Sequence, residues 1–130
     1  MTIERRKTEL DLVSSQYGEI EVGADQDWFV IKHWTLAAGW NKDETAVLVL
    51  IPPGYPVTPP DNFYTDNALR VEGGGLPGST SADQAQQGRQ WLQFSYHVED
   101  GEWHPHADPL KGDNLLTFLL AVGKRLSEAN

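Results

Sequence analysis

Between Phe94 and Asp108 the sequence FSYHVEDGEWHPHAD gathers a serine, three histidines and several carboxylates within fifteen residues. Ser95 is a nucleophile only if a general base lies within hydrogen-bond reach, because its hydroxyl is weak at neutral pH. His97, two residues on, shares a face with Ser95 in an extended chain. Their Cα atoms would then be ~7 Å apart, so a direct bond needs a local bend. His104 and His106, returning on the loop after Trp103, are equally placed to act as the base, and Asp108 could orient one of them. The bland alternative is that Ser95 is an ordinary small residue at a strand end.

The same histidines invite a metal. His104, His106 and Asp108 alternate, His-x-His is a known ligand spacing, and His97 would make a fourth donor. Pro105 between the two histidines suits a shaped loop better than a ligand strand. The Ser-x-x-Asp that follows His-x-His in JAB-type metalloproteases is also absent. The expectation is no metal and no other cofactor.

Whatever positions these residues must be built from 130 residues, the size of one domain, so a single domain over 1–130 is expected. The apolar fraction of 39%, with five Trp, four Tyr and four Phe, allows a real core. A net charge of −9 and the lack of a basic stripe argue against nucleic-acid and anionic-membrane partners. Arg5, Arg6 and Lys7 read as a solvated helix face. With no cysteine, thiol nucleophiles, thiolate zinc sites and disulfides are excluded for this chain. No apolar run approaches the ~20 residues of a membrane span, and the start MTIERRK lacks the apolar segment of a signal peptide, so a cytoplasmic location is expected.

Apolar spacing predicts a helix over roughly Glu4 to Tyr17, stopped by Gly18. Strands are expected at EIEV and DWFVIKHWTL. In the second, Trp28, Val30, Lys32 and Trp34 share one face, and Phe29, Ile31, His33 and Thr35 the other, which makes His33 a core histidine. Asn41 to Thr45 reads as a polar turn, and Ala46 to Ile51 as a strand buried on both faces. Five prolines from Pro52 to Pro60 demand an ordered, extended loop. A short strand at Asn62 to Thr65 follows, then a flexible Gly/Ser/Gln loop over about 72–88, then a strand at WLQFS. Asp113 is the expected N-cap of a Leu-rich helix whose stripe is Leu115, Leu119, Val122 and Leu126, widened by Leu116 and Leu120. Strands in succession between two helices make the chain α+β.

YPVTPPDNFY (Tyr55 to Tyr64) resembles the Tyr-Pro-x-x-Pro-Pro segment after the third strand of ubiquitin-conjugating enzymes. Trp103, His104 and Pro105 match that family's Trp-Ser-Pro element, and eight residues before Trp103, at the position of its catalytic cysteine, stands Ser95. The chain is most similar to the bacterial ubiquitin-conjugating-like proteins, a prokaryotic group. Trp40, Asn41, His97, Pro105, Asp108 and Leu110 fit the group's pattern. This chain lacks the catalytic cysteine, and the family's His-Pro-Asn element is missing between Arg70 and Gln90.

The resemblance implies an α+β ubiquitin-conjugating fold. That fold has an N-terminal helix, a four-stranded antiparallel meander, a long irregular active-site stretch and a C-terminal crossover helix, without the two further helices of the eukaryotic proteins. It implies a ubiquitin-like protein and its activating enzyme as partners. Tyr55, Pro56, Pro59, Pro60, Trp103 and Pro105 would be scaffold. The activity it implies is acyl transfer, with Ser95 carrying the ubiquitin-like C-terminus aided by His97 or His104. An inactive adaptor that binds the ubiquitin-like protein or its activating enzyme is the alternative of a different class, and a metal-dependent hydrolase the remote one.

Overall fold

The computed structural model describes residues 3–130. Helix α1 (Ile3–Tyr17) leads into β1 (Ile20–Val22), β2 (Trp28–Thr35), β3 (Glu44–Leu50) and β4 (Phe63–Asp66). Then come β5 (Thr80–Gln86), β6 (Arg89–Phe94) and helix α2 (Leu115–Leu126). All strands join one antiparallel sheet in the order β1-β2-β3-β4-β6-β5. The sheet therefore has six strands, not the four expected.

The additional pairing comes from the stretch read as a flexible loop over 72–88, which contains β5. Its composition, TSADQAQ, carries no apolar run because β5 is an edge strand with alternately exposed residues. What makes it a strand is the turn after it. Gln87 and Gly88 have φ of 49° and 78°, the two positive values that a tight hairpin turn requires. A bulge between Ser81 and Gln84 breaks the register with β6, with Asp83 at φ 61°. Such irregularity blunts an exposed edge.

The main core lies between one sheet face and the helices. Phe29, Ile31, Val47, Val49, Phe63 and Phe94 from the strands meet Leu10 and Val13 of α1 and Leu115, Phe118, Leu119 and Val122 of α2. Phe63 and Phe94 are cross-strand partners and stack at 4.7 Å. A second, smaller cluster of Val30, Leu48, Tyr64 and Trp91 occupies the other face, with Trp28, Ala46 and Leu50 around it.

Four expectations are corrected here. His33 is not a core histidine. The β2–β3 register shifts between Ile31 and Trp34, so the alternation breaks, and His33 lies exposed with Nδ1 2.9 Å from Glu44. The same shift turns Trp34 inward, where it stacks on Tyr17 at 5.0 Å. Arg5 is buried, not part of a solvated face. The N-cap of α2 is Asn114, not Asp113. Its side chain accepts from the Thr117 amide while the Thr117 hydroxyl answers the Asn114 amide, a reciprocal capping box. Leu120, expected to widen the apolar stripe, is exposed.

Candidate functional site

The site grows from the end of β6. The pairing of Phe63 with Phe94, continued two residues beyond the strands, brings residue 61 opposite residue 96. Asn62, at φ 60°, holds this continuation. Its amide donates to the Tyr96 carbonyl at 2.7 Å, and its side-chain oxygen accepts from the Tyr96 amide at 3.1 Å. On the other side the Ser95 amide donates to Ser79 at 2.9 Å. Ser95 is thus fixed by its backbone, with its side chain exposed.

His97 is set by this clamp against Asp61. The imidazole Nδ1 meets Asp61 Oδ1 in a hydrogen-bonded, exposed pair. Asp61 was not foreseen in the sequence. Its only linear cue was its place directly after Pro59 and Pro60, and the β4–β6 register supplies the rest. With Nδ1 engaged, the ring's Nε2 is left for a second partner. Ser95 is two residues from His97 in sequence, and no hydrogen bond joins its hydroxyl to any histidine among the described residues.

His104, His106 and Asp108 are held differently. The His104 amide donates to Asp113 Oδ2 at 2.7 Å and its carbonyl accepts from the Asp113 amide at 3.0 Å, with Pro105 bridged to Gly112 and Asp113. The His106 carbonyl accepts from Arg5 Nη1, and its Nδ1 accepts from the Asp108 amide at 2.9 Å. Asp108 Oδ1 accepts from the Leu110 amide at 2.9 Å. These groups knit the loop that delivers the chain to α2. Asp108 orients no histidine toward Ser95. Among the described residues no group of three or more His, Asp or Glu side chains is arranged to hold a metal ion.

The proline loop and Trp103 form a rigid wall. Trp103 Nε1 donates to the Pro56 carbonyl at 2.7 Å, and its ring leans on Tyr55 at 6.3 Å. Tyr55 and Pro60 are buried, Pro56 and Pro59 half-buried, and the Tyr55–Pro56 peptide is cis. Beneath lies a buried polar knot that sequence reasoning missed. Glu9 accepts from the Tyr55 hydroxyl at 2.5 Å, from the Leu115 amide at 2.7 Å and from Arg5 Nε at 2.7 Å. Burial pushes the Tyr55 hydroxyl far above its ordinary pKa, and the Glu9 contact adds to this. The knot ties α1, the proline loop and the start of α2 together. Its signal in the sequence was only the i, i+4 spacing of Arg5 and Glu9, which exposed pairs share.

Between the stretch after β6 and α2 runs a cleft of about 340 Å³ lined by Tyr96, His97, Glu99, Glu102, Trp103 and Phe118 among others. Tyr96 packs edge-on against Phe118 at 5.7 Å. Burial, together with the charge of Glu99, raises its hydroxyl pKa. The cleft is aromatic and acidic, and His97 lines it while Ser95 does not.

The model of prokaryotic E2 family E matches residues 4–129. The chain belongs to that family. No curated protein matches the chain, and no solved structure does. Membership in prokaryotic E2 family E supports a role like ubiquitin conjugation in general, with ubiquitin-like proteins and activating enzymes as the partner classes. It fits the mixed α/β architecture of two helices and a six-stranded antiparallel sheet. Among the described residues no helix is long and apolar enough to cross a membrane. This member of prokaryotic E2 family E has no cysteine, so a thioester on its own side chain is chemically excluded.

Proposed function

We propose that this protein accepts the C-terminal acyl group of a ubiquitin-like protein on Ser95 as an oxyester and passes it to an amine. What supports the reading is the His97–Asp61 pair beside Ser95, an imidazole whose Nδ1 is oriented by a carboxylate while Nε2 stays available. Asp61 takes the orienting role that the sequence suggested for Asp108. His97, not His104 or His106, serves as the base.

The Ser95 Oγ attacks the carbonyl carbon of the thioester held on the activating enzyme, and His97 Nε2 takes its proton. The carbon–sulfur bond breaks and the thiolate leaves, later taking up that proton. In the second half, an amine attacks the oxyester, the Ser95 oxygen leaves and is reprotonated through His97, and an amide forms. The step needs a bend to form at residues 95–97 and bring Oγ within reach of Nε2. The Ser95 hydroxyl has no hydrogen bond to break for this.

A second reading is an adaptor that binds the ubiquitin-like protein without chemistry, favoured by the lack of a Ser95–His97 hydrogen bond in the free chain. The two separate on Ser95→Ala. Acyl transfer requires that this variant keep binding the ubiquitin-like protein, measured by co-elution, yet lose conjugation. If conjugation in the reconstituted reaction proceeds equally with Ser95→Ala, the adaptor reading stands and the acyl-carrier reading fails.

A further inference from the structure

The sheet face away from the helices is curved into a trough. Glu21 on β1 and Arg89 and Trp91 on β6 line the same hollow, of about 470 Å³. Four strand spacings separate β1 from β6 in the sheet order, ~19 Å if the sheet were flat. The β5–β6 hairpin arches further over this face. Its turn residues Gln86 and Gln87 line a smaller hollow together with Asp25, Asp27 and Leu50 at the far end of β2 and β3. A volume of this size, walled on both sides, matches a small-molecule site better than a flat protein-docking face.

The floor is chemically uneven. Trp28 and Ala46 supply apolar surface, while Val30 and Trp91 border the hollow almost wholly buried. The Trp28 ring is braced against Gly23, where an added Cβ would sit 2.4 Å from its Nε1, so it forms a fixed, flat wall. The Arg89 guanidinium stacks on Trp91 at 3.7 Å. Asp66 receives Lys42 on one oxygen at 2.6 Å and Arg89 on the other at 3.0 Å. Two cations share one carboxylate, leaving one positive charge in surplus. The Nη1 and Nε protons of Arg89 and two protons of Lys42 keep no protein partner. On the rim, Lys32 is paired with Glu19 and Glu44 with His33, while Glu21 faces inward unpaired. The three acids and three bases of the lining balance, so an anionic group is drawn only by the local surplus where Lys42 and Arg89 share Asp66.

We propose that this trough binds a small planar molecule bearing one negative charge, its ring against Trp28 and its anionic group on Lys42 and Arg89. The site is separate from Ser95 and does not depend on acyl transfer. The test is an NMR titration of the full chain with indole-3-acetate and its neutral amide, indole-3-acetamide, reading the indole N–H signals of Trp28 and Trp91. The expected result is saturable shifts at both signals with a Kd below about 1 mM. The amide should bind at least tenfold more weakly, and so should the acid to Arg89→Ala and to Lys42→Gln, each checked for an otherwise native spectrum. Ser95→Ala should bind as the natural chain does. No saturable shift, equal binding of acid and amide, or full binding by a folded Lys42→Gln variant overturns the proposal.

Discussion

Replacing Glu9 by alanine removes the one acceptor on which α1, the proline loop and α2 converge. Glu9 is 1% exposed and Arg5 9%, so the donors it satisfies have little access to water. Removing one partner of a buried ion pair costs about 3–5 kcal/mol. A separate count gives a similar figure. The Tyr55 hydroxyl and the Leu115 amide would lose their buried acceptor at roughly 1–3 kcal/mol each. We expect Glu9→Ala to destabilise by about 3–5 kcal/mol, a large part of the roughly 5–15 kcal/mol that holds a domain. Glu9→Gln keeps one oxygen for Tyr55 and Leu115 but turns an amide N–H toward Arg5, which should cost about 2–3 kcal/mol. Tyr55→Phe removes one hydrogen bond and should cost about 1 kcal/mol. Urea unfolding followed by tryptophan fluorescence and circular dichroism gives the three values. The order Ala, then Gln, then Phe is the signature of a carboxylate hub. A Glu9→Ala cost below about 1 kcal/mol, or a larger loss for Tyr55→Phe than for Glu9→Ala, refutes the reasoning.

Other perturbations reach separate parts of the structure. Asn114→Ala breaks the capping box of α2 and should cost about 1 kcal/mol in the same urea experiment. Gly112→Ala puts a Cβ 2.6 Å from the His104 carbonyl oxygen at a backbone φ of 62°, and a loss of about 1–3 kcal/mol with a disturbed Trp103 environment is expected. Asp66 feels burial pushing its pKa up, but the hydrogen bonds and charges of Lys42 and Arg89 outweigh this and hold it below the usual carboxylate range. Its folded form therefore binds fewer protons than its unfolded form near pH 4, so its contribution is complete above about pH 5 and fades as pH falls. Thermal melts should show a steady gap between the natural chain and Asp66→Asn from about pH 5 to 7, narrowing below about pH 4; a gap that widens there contradicts the assignment.

The helices and central strands were legible because their signals are local. The Leu115, Leu119, Val122 and Leu126 stripe and the β-branched run of β3 state their own burial. β5 was not legible because an edge strand with polar residues on alternate faces has no hydrophobic pattern, and the turn at Gln87 and Gly88 was its only mark. His33 was misplaced for a similar reason: a register shift has no sequence signature, yet it flips every later side chain. Spacing along the chain singles out Ser95, His97 and Trp103 as candidates for the site. The site was illegible where tertiary pairing decides it. Asp61 reaches His97 across thirty-six positions. The His104, His106 and Asp108 cluster looked like chemistry because turn-forming hydrogen bonds use the same residue types as catalysis. Arg5 and Glu9 were hidden because an i, i+4 ion pair looks alike on a solvated face and in a core.

Acyl loading of Ser95 decides the proposed function. Its most direct measurement is intact-mass analysis of the full chain after reaction with its activating enzyme, ATP and the ubiquitin-like protein. We expect one covalent adduct, released by hydroxylamine, mapped to Ser95 by peptide sequencing and reduced in His97→Ala and Asp61→Asn. Ser95→Cys should form the corresponding thioester at the same position. A natural chain that stays unmodified, while its Ser95→Cys variant is charged, would contradict the claim and show Ser95 to be the remnant of a nucleophile.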